Sequence, residues 1–283
     1  MNAELLNKVN HSINLLRKGE KLALKMQPDF GYLLAFSGGK DSQCVLELAK
    51  MAGVKFKAEY HVTTNDPADN VRFIREKYPE VIFDTPPKSY FQMIGEHGLP
   101  TVMRRWCCRE FKETKGKNCV TLTGVRAAES AKRAKYTEFE RQARRKTTRG
   151  ARDLDKMAEN QFQCVGGSDK FMLYPILSWT EDDVWSFLEE RGLPRNPCYD
   201  RNNRMGCVYC PFTKKKHLLE YIKTHPKQHD AFLHAIRRYM DAQPDKGLLK
   251  DEREYFEWWT SKVSVAAFMK KKKQLEINFE DNT

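Results

Sequence analysis

The sequence contains no uninterrupted apolar run of the roughly 20 residues that a transmembrane helix needs. Its first residues, Met1-Asn2-Ala3-Glu4, do not begin a basic segment followed by an apolar one, so no secretory signal peptide is predicted. These absences favour a cytoplasmic protein with no membrane partner. Structural disulfides are rare in that compartment, so we expect the eight cysteines to be thiols, metal ligands or core residues.

The sequence has fewer acidic than basic residues. The chain has 50 Lys and Arg against 38 Asp and Glu, a formal net charge of +12, which favours an anionic partner. A nucleotide alone does not need that much charge, so DNA or RNA bound through a basic surface is an expectation, beside a merely soluble basic surface. The length of 283 residues and the hydrophobic fraction of 40% indicate a folded globular protein and not a disordered one.

A Walker A motif, G-x-x-x-x-G-K-[ST], is also missing, but another glycine loop is present. Residues 37–42 read Ser-Gly-Gly-Lys-Asp-Ser. They lie between a short apolar run at 32–36, predicted to be a buried strand, and residues 43–53, whose apolar positions recur at helical spacing. Small residues at a strand-to-helix turn let backbone N–H groups approach an anion. The pattern favours a phosphate cradle over an ordinary capped glycine turn.

Apolar strand patterns alternate with helical patterns along the chain. Strands are predicted at 32–36, 54–62, 81–83 and 119–123, and helices at 4–26, 43–53, from Asp66 and Pro67 to Lys77, after Ser89, and from the Thr180 capping box to Gly192. The alternation predicts an α/β fold: a mostly parallel twisted sheet with helices on both faces, followed by a helical C-terminal region. The predicted organisation is an N-terminal helix at 1–28, a nucleotide-binding domain with the metal cysteines at 29–213, and the helical region at 214–283.

Ligands of such sheets bind beyond the carboxyl ends of the strands. The loop at Ser37 and the segment after Thr123 both follow predicted strands, so we expect them to face one site. The basic segment from Ala131 to Lys156 is predicted to be an exposed mobile loop, either a solvated charge run or a flap that closes over an anion. A polar, frayed tail is predicted from Lys270 to Lys273 onward.

Four cysteines form two pairs, Cys107-Cys108 and the C-x-x-C of Cys207 and Cys210. Four thiolates suffice for a zinc site or an iron–sulfur cluster. Adjacent cysteines strain a single tetrahedral ion, whereas a [4Fe–4S] cluster offers each of them its own iron. A cluster is therefore favoured, with zinc and redox-active thiols as alternatives. The remaining cysteines are interpreted as core or incidental residues, except Cys198, which stays undecided.

These features together resemble the phosphoadenosine-phosphosulfate reductase family of the ATP pyrophosphatase (PP-loop) superfamily, over about residues 32–211. Residues 123–130, Thr-Gly-Val-Arg-Ala-Ala-Glu-Ser, with Arg133, are similar to the family signature Thr-Gly-x-Arg-x-x-Glu-Ser-x-x-Arg. Segments 175–180, 183–185 and 196–200 also resemble family segments. The resemblance implies an adenine nucleotide α-hydrolase-like fold, an arginine that holds the nucleotide and, from its adenylyl-sulfate reductase branch, a [4Fe–4S] cluster.

One departure from the family pattern matters. The reductases resemble one another in a C-terminal Glu-Cys-Gly-x-His segment, whose cysteine attacks the sulfate sulfur. No cysteine follows Cys210 in this sequence, so that nucleophile is lacking. The remaining features are similar to those of cluster-bearing sulfurtransferases that adenylate nucleic acid before inserting sulfur, such as DNA-phosphorothioation enzymes and some tRNA thiolases.

Our leading hypothesis is therefore an ATP-dependent adenylating sulfurtransferase that uses ATP, Mg²⁺ and a [4Fe–4S] cluster. Its expected partners are an adenine nucleotide, DNA or RNA, a sulfur-donor protein and a second copy of the chain. The alternatives are a sulfonucleotide reductase that uses another thiol, such as Cys198, and a non-catalytic nucleic-acid-binding protein that senses nucleotides. We assign catalysis to Lys40, Asp41 and Arg126, nucleotide binding to Ser37, Gly38, Gly39, Lys40, Asp41, Ser42, Gly124, Arg126, Glu129, Ser130 and Arg133, and metal binding to Cys107, Cys108, Cys207 and Cys210.

Overall fold

A computed structural model describes residues 2–142, 170–201, 205–243 and 248–280. The chain divides into two compact units. The first comprises residues 1–62, 67–85 and 111–205, and the second comprises residues 63–66, 86–110 and 206–283. The domain boundaries drawn from the sequence stay a prediction.

The first unit contains a six-stranded sheet. Its strands are β1 (Tyr32–Ala35), β2 (Phe56–His61), β3 (Ile82–Asp84), β4 (Cys119–Leu122), β5 (Phe139–Gln142) and β6 (Lys170–Leu173). The order is β3-β2-β1-β4-β6-β5, and all neighbours are parallel except β5 and β6. The predicted mostly parallel α/β fold is confirmed.

The helices are α1 (Ala3–Met26), α2 (Lys40–Ala52), α3 (Ala68–Lys77), α4 (Tyr90–His97), α5 (Trp106–Cys108), α6 (Glu181–Glu190), α7 (Cys198–Arg201), α8 (Lys215–Thr224), α9 (Pro226–Asp241), α10 (Glu252–Ser261) and α11 (Val265–Glu280). A π-helical turn, Arg109–Glu113, continues α5, and 3₁₀ turns cover Ala127–Glu129 and Arg133–Lys135. The helical C-terminal region predicted from the sequence is therefore present. None of the described helices is both long and apolar enough to span a bilayer.

Local sequence explains several of these elements. One face of α1 is buried through Leu5, Val9 and Leu16, which recur at helical spacing. Helix α2 ends at Gly53, whose φ of 69° lies in the left-handed region that glycine tolerates best. Helix α6 begins with the predicted capping box, in which Thr180 accepts from the Asp183 amide.

The sequence predicts Asp66 as the N-cap of α3 and Pro67 as its first residue, and this prediction is wrong. The residue before its first turn is Pro67, with no side-chain cap, and Asp66 Oδ2 instead accepts from the Thr63 amide at 2.7 Å. Asx side chains bond nearby amides in loops as readily as at helix ends, so local pattern does not separate the two uses.

The interpretation of residues 131–156 as an exposed loop is wrong for residues 139–142, whereas none of residues 131–138 is buried or in a strand. Strand β5 pairs with β6, and Phe139 is 4% exposed and stacks on Phe171, with ring centroids 5.5 Å apart. The many charged residues of this segment hid the importance of Phe139, because its partner Phe171 lies more than thirty residues away in the sequence. Residues 143–156 lie outside the described chain.

The predicted frayed tail is also corrected, because α11 continues through Lys270–Lys273. Lysine is a good helix former, and Lys272 forms an ion pair with Glu254 of α10. The lysines at 270–273 therefore lie within the helix and not beyond its end.

Phe139→Ala is expected to lower the free energy of unfolding by about 3 kcal/mol, because it leaves a cavity beside Phe171. Urea denaturation followed by circular dichroism measures this change. Phe212→Ala is the control, since Phe212 is 49% exposed, and its effect should stay within about 0.5 kcal/mol. Equal losses in both variants would contradict the anchoring role of β5.

Candidate functional site

The glycine loop joins β1 directly to the N-terminus of α2. Gly38 has a φ of 75°, and a Cβ there would lie 2.4 Å from Asn70 Oδ1 and 2.9 Å from the Ile74 side chain. Both the backbone angle and the neighbours therefore require glycine at this position. The loop accordingly passes very close to α3.

Side-chain hydroxyl groups form hydrogen bonds with the backbone of the loop and hold its conformation. Ser42 Oγ accepts from the Ser37 amide at 3.2 Å and donates to the Gly39 carbonyl oxygen at 2.9 Å. The Gly39 amide donates to Ser37 Oγ at 3.3 Å, and the Lys40 amide donates to the Tyr199 hydroxyl at 3.0 Å. Three of the loop amides are thus already bonded within the protein.

The amides of Gly38, Asp41 and Ser42 donate to no acceptor among the described residues. Asp41 and Ser42 belong to the first turn of α2, whose N–H groups have no partner within the helix. The helix dipole places partial positive charge at the same end. This turn is therefore suited to an anion such as phosphate.

Two buried cations share one carboxylate at the loop. Lys40 Nζ lies 2.9 Å from Asp41 Oδ2, and Arg126 Nε lies 2.7 Å from Asp41 Oδ1. The side chains of Lys40 and Arg126 are only 8% and 4% exposed. Arg126 lies beyond β4, so the structure brings together the two strand ends that the sequence predicted to face one site.

The remaining predicted nucleotide residues line the turn that carries Arg126. Glu129 Oε2 accepts from the Arg126 amide at 3.1 Å and forms an ion pair with Arg133. Ser130 Oγ accepts from the Arg133 amide at 3.2 Å. These three residues therefore shape the turn, and Arg133 is held by Glu129 and not by the loop.

Sequence reasoning missed the residues that hold the outside of the loop. Asn196 is fully buried, and its Nδ2 donates to the Gly38 carbonyl oxygen at 2.9 Å. Asn70 Nδ2 donates to the Ser37 carbonyl oxygen at 3.1 Å. Asn196 and Tyr199 lie in a segment that already resembled the family, so that segment was the available signal for both.

The four predicted metal cysteines lie in the second unit, around Tyr90. Burial raises the pKa of Tyr90 well above its usual range, and charge on Cys107, Cys207, Cys210 and Cys108 raises it further. The Tyr90 ring stacks on Trp106, which precedes Cys107, with ring centroids 5.6 Å apart, and its hydroxyl donates to the carbonyl oxygen of Tyr209, which lies between Cys207 and Cys210. The structure therefore brings both cysteine pairs together.

The sulfurs of Cys107 and Cys108 contact each other, but the four sulfurs do not form one compact group. A hydrogen bond with Cys108 raises the pKa of Cys107, and burial and the charges of Cys207 and Cys210 raise it further. No three of these sulfurs lie within 4.8 Å of one another, because the one such group of metal-ligating atoms in the described chain is Glu59, His61 and Asp84.

That other group is an ion-pair network. Lys57 Nζ lies 2.5 Å from Glu59 Oε1, and Lys115 Nζ lies 2.6 Å from Asp84 Oδ2. Burial lowers the pKa of His61, which favours the neutral ring. Each carboxylate thus already has a cation, so the group does not call for a metal.

The loop that joins β2 to α3 lies against the C-x-x-C segment within the second unit. The Thr63 hydroxyl lies 3.6 Å from Cys207 Sγ, and the Val208 amide donates to the Asn65 carbonyl oxygen at 2.9 Å. Tyr90 donates to the Tyr209 carbonyl oxygen at 3.0 Å. The backbone of the C-x-x-C segment is therefore held from two sides.

The residues of this site lie within a region that is similar to known proteins. Residues 31–213 match the family model of the phosphoadenosine phosphosulfate reductase domain. An uncharacterized protein of Methanocaldococcus jannaschii is 27% identical over 216 residues, covering 72% of this chain and 47% of its own length.

Two relatives with named activities are also similar. Sulfate adenylyltransferase subunit 2 of a Rhizobium species is 29% identical over 180 residues, covering 59% of this chain and 60% of its own. Adenosine 5'-phosphosulfate reductase of Staphylococcus epidermidis is 24% identical over 152 residues, covering 50% and 53%. The chain thus spans between 47% and 60% of the length of these three relatives.

Gly124→Ala is expected to destabilise the protein by about 1–3 kcal/mol through overpacking. A Cβ at this position would lie 2.7 Å from the Asp41 carbonyl carbon and 2.8 Å from its Cβ. Urea denaturation measures the loss. Gly95→Ala is the control, because its Cβ would meet Arg238 no closer than 3.8 Å and alanine favours the helix. A Gly124 variant as stable as the Gly95 variant would contradict the close approach.

Proposed function

Because the chain belongs to the phosphoadenosine phosphosulfate reductase family, we propose that it is a nucleotide-utilising enzyme that cleaves ATP to AMP and pyrophosphate, adenylates an acceptor and inserts sulfur. The observation that carries the proposal is the loop at the start of α2. Its Gly38, Asp41 and Ser42 amides meet no acceptor among the described residues, and two buried cations lie beside it.

In this proposal the β- and γ-phosphates of ATP accept from those three amides. Lys40 Nζ and Arg126 turn from the Asp41 carboxylate to the phosphate oxygens, which carry more negative charge. An acceptor oxygen attacks the α-phosphorus, and the bond from that phosphorus to the bridging oxygen of the leaving pyrophosphate breaks. The two cations offset the charge that develops on pyrophosphate. Mg²⁺, held by the phosphates and Asp41, would supply further Lewis-acid assistance.

A sulfur nucleophile then attacks the adenylated acceptor atom. The new bond joins sulfur to the acceptor, and AMP leaves with the oxygen. The sulfur comes from hydrosulfide, or from a persulfide of a donor protein; in the second case a second thiol of the donor cleaves the resulting acceptor–donor S–S bond, which leaves the sulfur on the acceptor and a disulfide on the donor. The basic charge of +12 supports an acceptor that is itself anionic, such as DNA or RNA.

The four cysteines fit a [4Fe–4S] cluster better than zinc. Four thiolates around one zinc ion, with bonds of about 2.3 Å, would lie less than about 4 Å apart. Here Cys107 and Cys108 are adjacent in the chain, and no three of the four sulfurs lie within 4.8 Å of one another, so the sulfurs are not arranged around a single ion. When bound, the cluster would supply a site for the incoming sulfur and would cross-link the second unit.

A sulfonucleotide reductase is the second candidate. The chain is similar to an adenosine 5'-phosphosulfate reductase, and Cys198 immediately precedes Tyr199, whose hydroxyl bonds the loop amide of Lys40. In this candidate the Cys198 thiol would be the nucleophile that attacks the sulfate sulfur. Sulfite release from adenylyl sulfate, abolished by Cys198→Ala, would favour this candidate over the sulfurtransferase.

With ATP, Mg²⁺ and a nucleic-acid acceptor, the protein is expected to form AMP and pyrophosphate. Lys40→Met and Arg126→Met should each reduce the rate about 100-fold, the cost of losing one charge-stabilising group. Lys50→Met is the control, because Lys50 lies on the same helix and pairs with Glu80 at the surface. Formation of ADP and phosphate would overturn the mechanism.

Anaerobically purified protein is expected to contain about four iron and four sulfide per chain. Cys210→Ser should lose most of both, measured by iron and sulfide analysis and by absorbance near the visible charge-transfer bands. Cys119→Ser should keep both, because Cys119 is buried in β4 of the first unit. Stoichiometric zinc in place of iron would contradict the cluster.

A further inference from the structure

A cavity of about 690 Å³ is lined by one face of α6, and all its lining residues belong to the first unit. Its volume falls within the range of about 300–1,000 Å³ that small-molecule sites occupy. Trp185, Leu188 and Leu193 supply an apolar wall, and Tyr199 also lines the cavity. The proposed ATP chemistry does not use this cavity.

The apolar wall is suited to a flat ring. The Arg195 guanidinium carbon lies 4.7 Å from the centroid of the Trp185 ring, and Tyr199 meets the same indole edge-on at 5.3 Å. Arg195 is 60% exposed at its side chain, so it can move aside or cover a bound ring. Stacking on an aromatic face contributes about 1–3 kcal/mol for a nucleobase.

The polar residues that line the cavity determine which nucleobase it favours. Glu181 and Glu189 line the cavity with one arginine, so carboxylates outnumber cations there. Carboxylates only accept hydrogen bonds. Guanine presents two adjacent N–H donors on its Watson–Crick edge, whereas adenine places acceptor nitrogens beside its amino group and uracil flanks its single N–H with carbonyls. The excess of carboxylates in the lining favours a group with N–H donors over a phosphate group.

The cavity adjoins the glycine loop through two of its lining residues. The Tyr199 ring lines the cavity while its hydroxyl accepts from the Lys40 amide at 3.0 Å. Glu181 Oε1 lies 4.0 Å from Lys40 Nζ. A base in the cavity is therefore separated from the phosphate loop by the width of one tyrosine.

We propose that this cavity binds a guanine base of the nucleic-acid acceptor, stacked on Trp185 with its N–H edge on the carboxylates. The inference rests on the proposed function, since it supplies the acceptor of that reaction. The preference for guanine over adenine separates this site from that of the adenine of ATP. Holding the base here would place the neighbouring acceptor atom near the α-phosphate.

The test titrates guanosine, adenosine and uridine into the full-length protein without ATP, and follows tryptophan fluorescence and calorimetric heat. Guanosine should bind at least about 10-fold more tightly than the other two nucleosides. Trp185→Leu and Glu189→Gln should each weaken guanosine binding about 10-fold, the loss expected for one stacked base or one charged hydrogen-bond acceptor. Glu190→Gln is the matched control, because Glu190 lies on the same helix but does not line the cavity.

Repeating the titration with a saturating non-hydrolysable ATP analogue separates the two nucleotide sites. Guanosine affinity should be unchanged, because the base and the triphosphate occupy different places. Competition by the analogue, equal affinity for the three nucleosides, or equal losses in the Glu189 and Glu190 variants would overturn the proposal. Because these measurements need no turnover, they are independent of whether ATP is cleaved to AMP.

Discussion

The site depends on the way one carboxylate holds two buried cations. Asp41 satisfies Lys40 and Arg126 together, and neither cation could remain buried without a partner. The same geometry leaves three amides at the start of α2 without acceptors in the described chain. An anion that binds these cations would therefore have to draw them away from the Asp41 carboxylate.

The fold provides this geometry through strand order. Strands β1 and β4 are neighbours in the parallel sheet, so their carboxyl ends place the glycine loop and the Arg126 turn side by side. Gly124 then lets the turn approach the Asp41 backbone, where no side chain would fit. The cysteines belong to the second unit, where both pairs and Tyr90 come together.

Sequence patterns predicted the parts that depend on local chemistry or on a general rule of parallel sheets. The loop at 37–42, the helix caps at Ser89 and Thr180, and the approach of Arg126 to the loop belong to this group. Contacts that depend on one particular side chain meeting one distant partner were not predictable. Tyr199 bonds Lys40 across 159 residues, and Phe139 finds Phe171 from within a charged run. Neither contact leaves a periodic signal, because each is fixed by one side chain meeting one partner after the sheet has formed.

The buried Asn196 amide has a consequence for how quickly a ligand could be captured. It fixes the carbonyl of Gly38 from a segment remote in the chain, and Gln43 bonds the same oxygen at 3.2 Å. Because these hydrogen bonds hold the loop in one conformation before a ligand arrives, the loop loses little conformational entropy on binding. The association rate constant should then depend mainly on diffusion and charge attraction. Differences in affinity between ligands should come mainly from their dissociation rate constants.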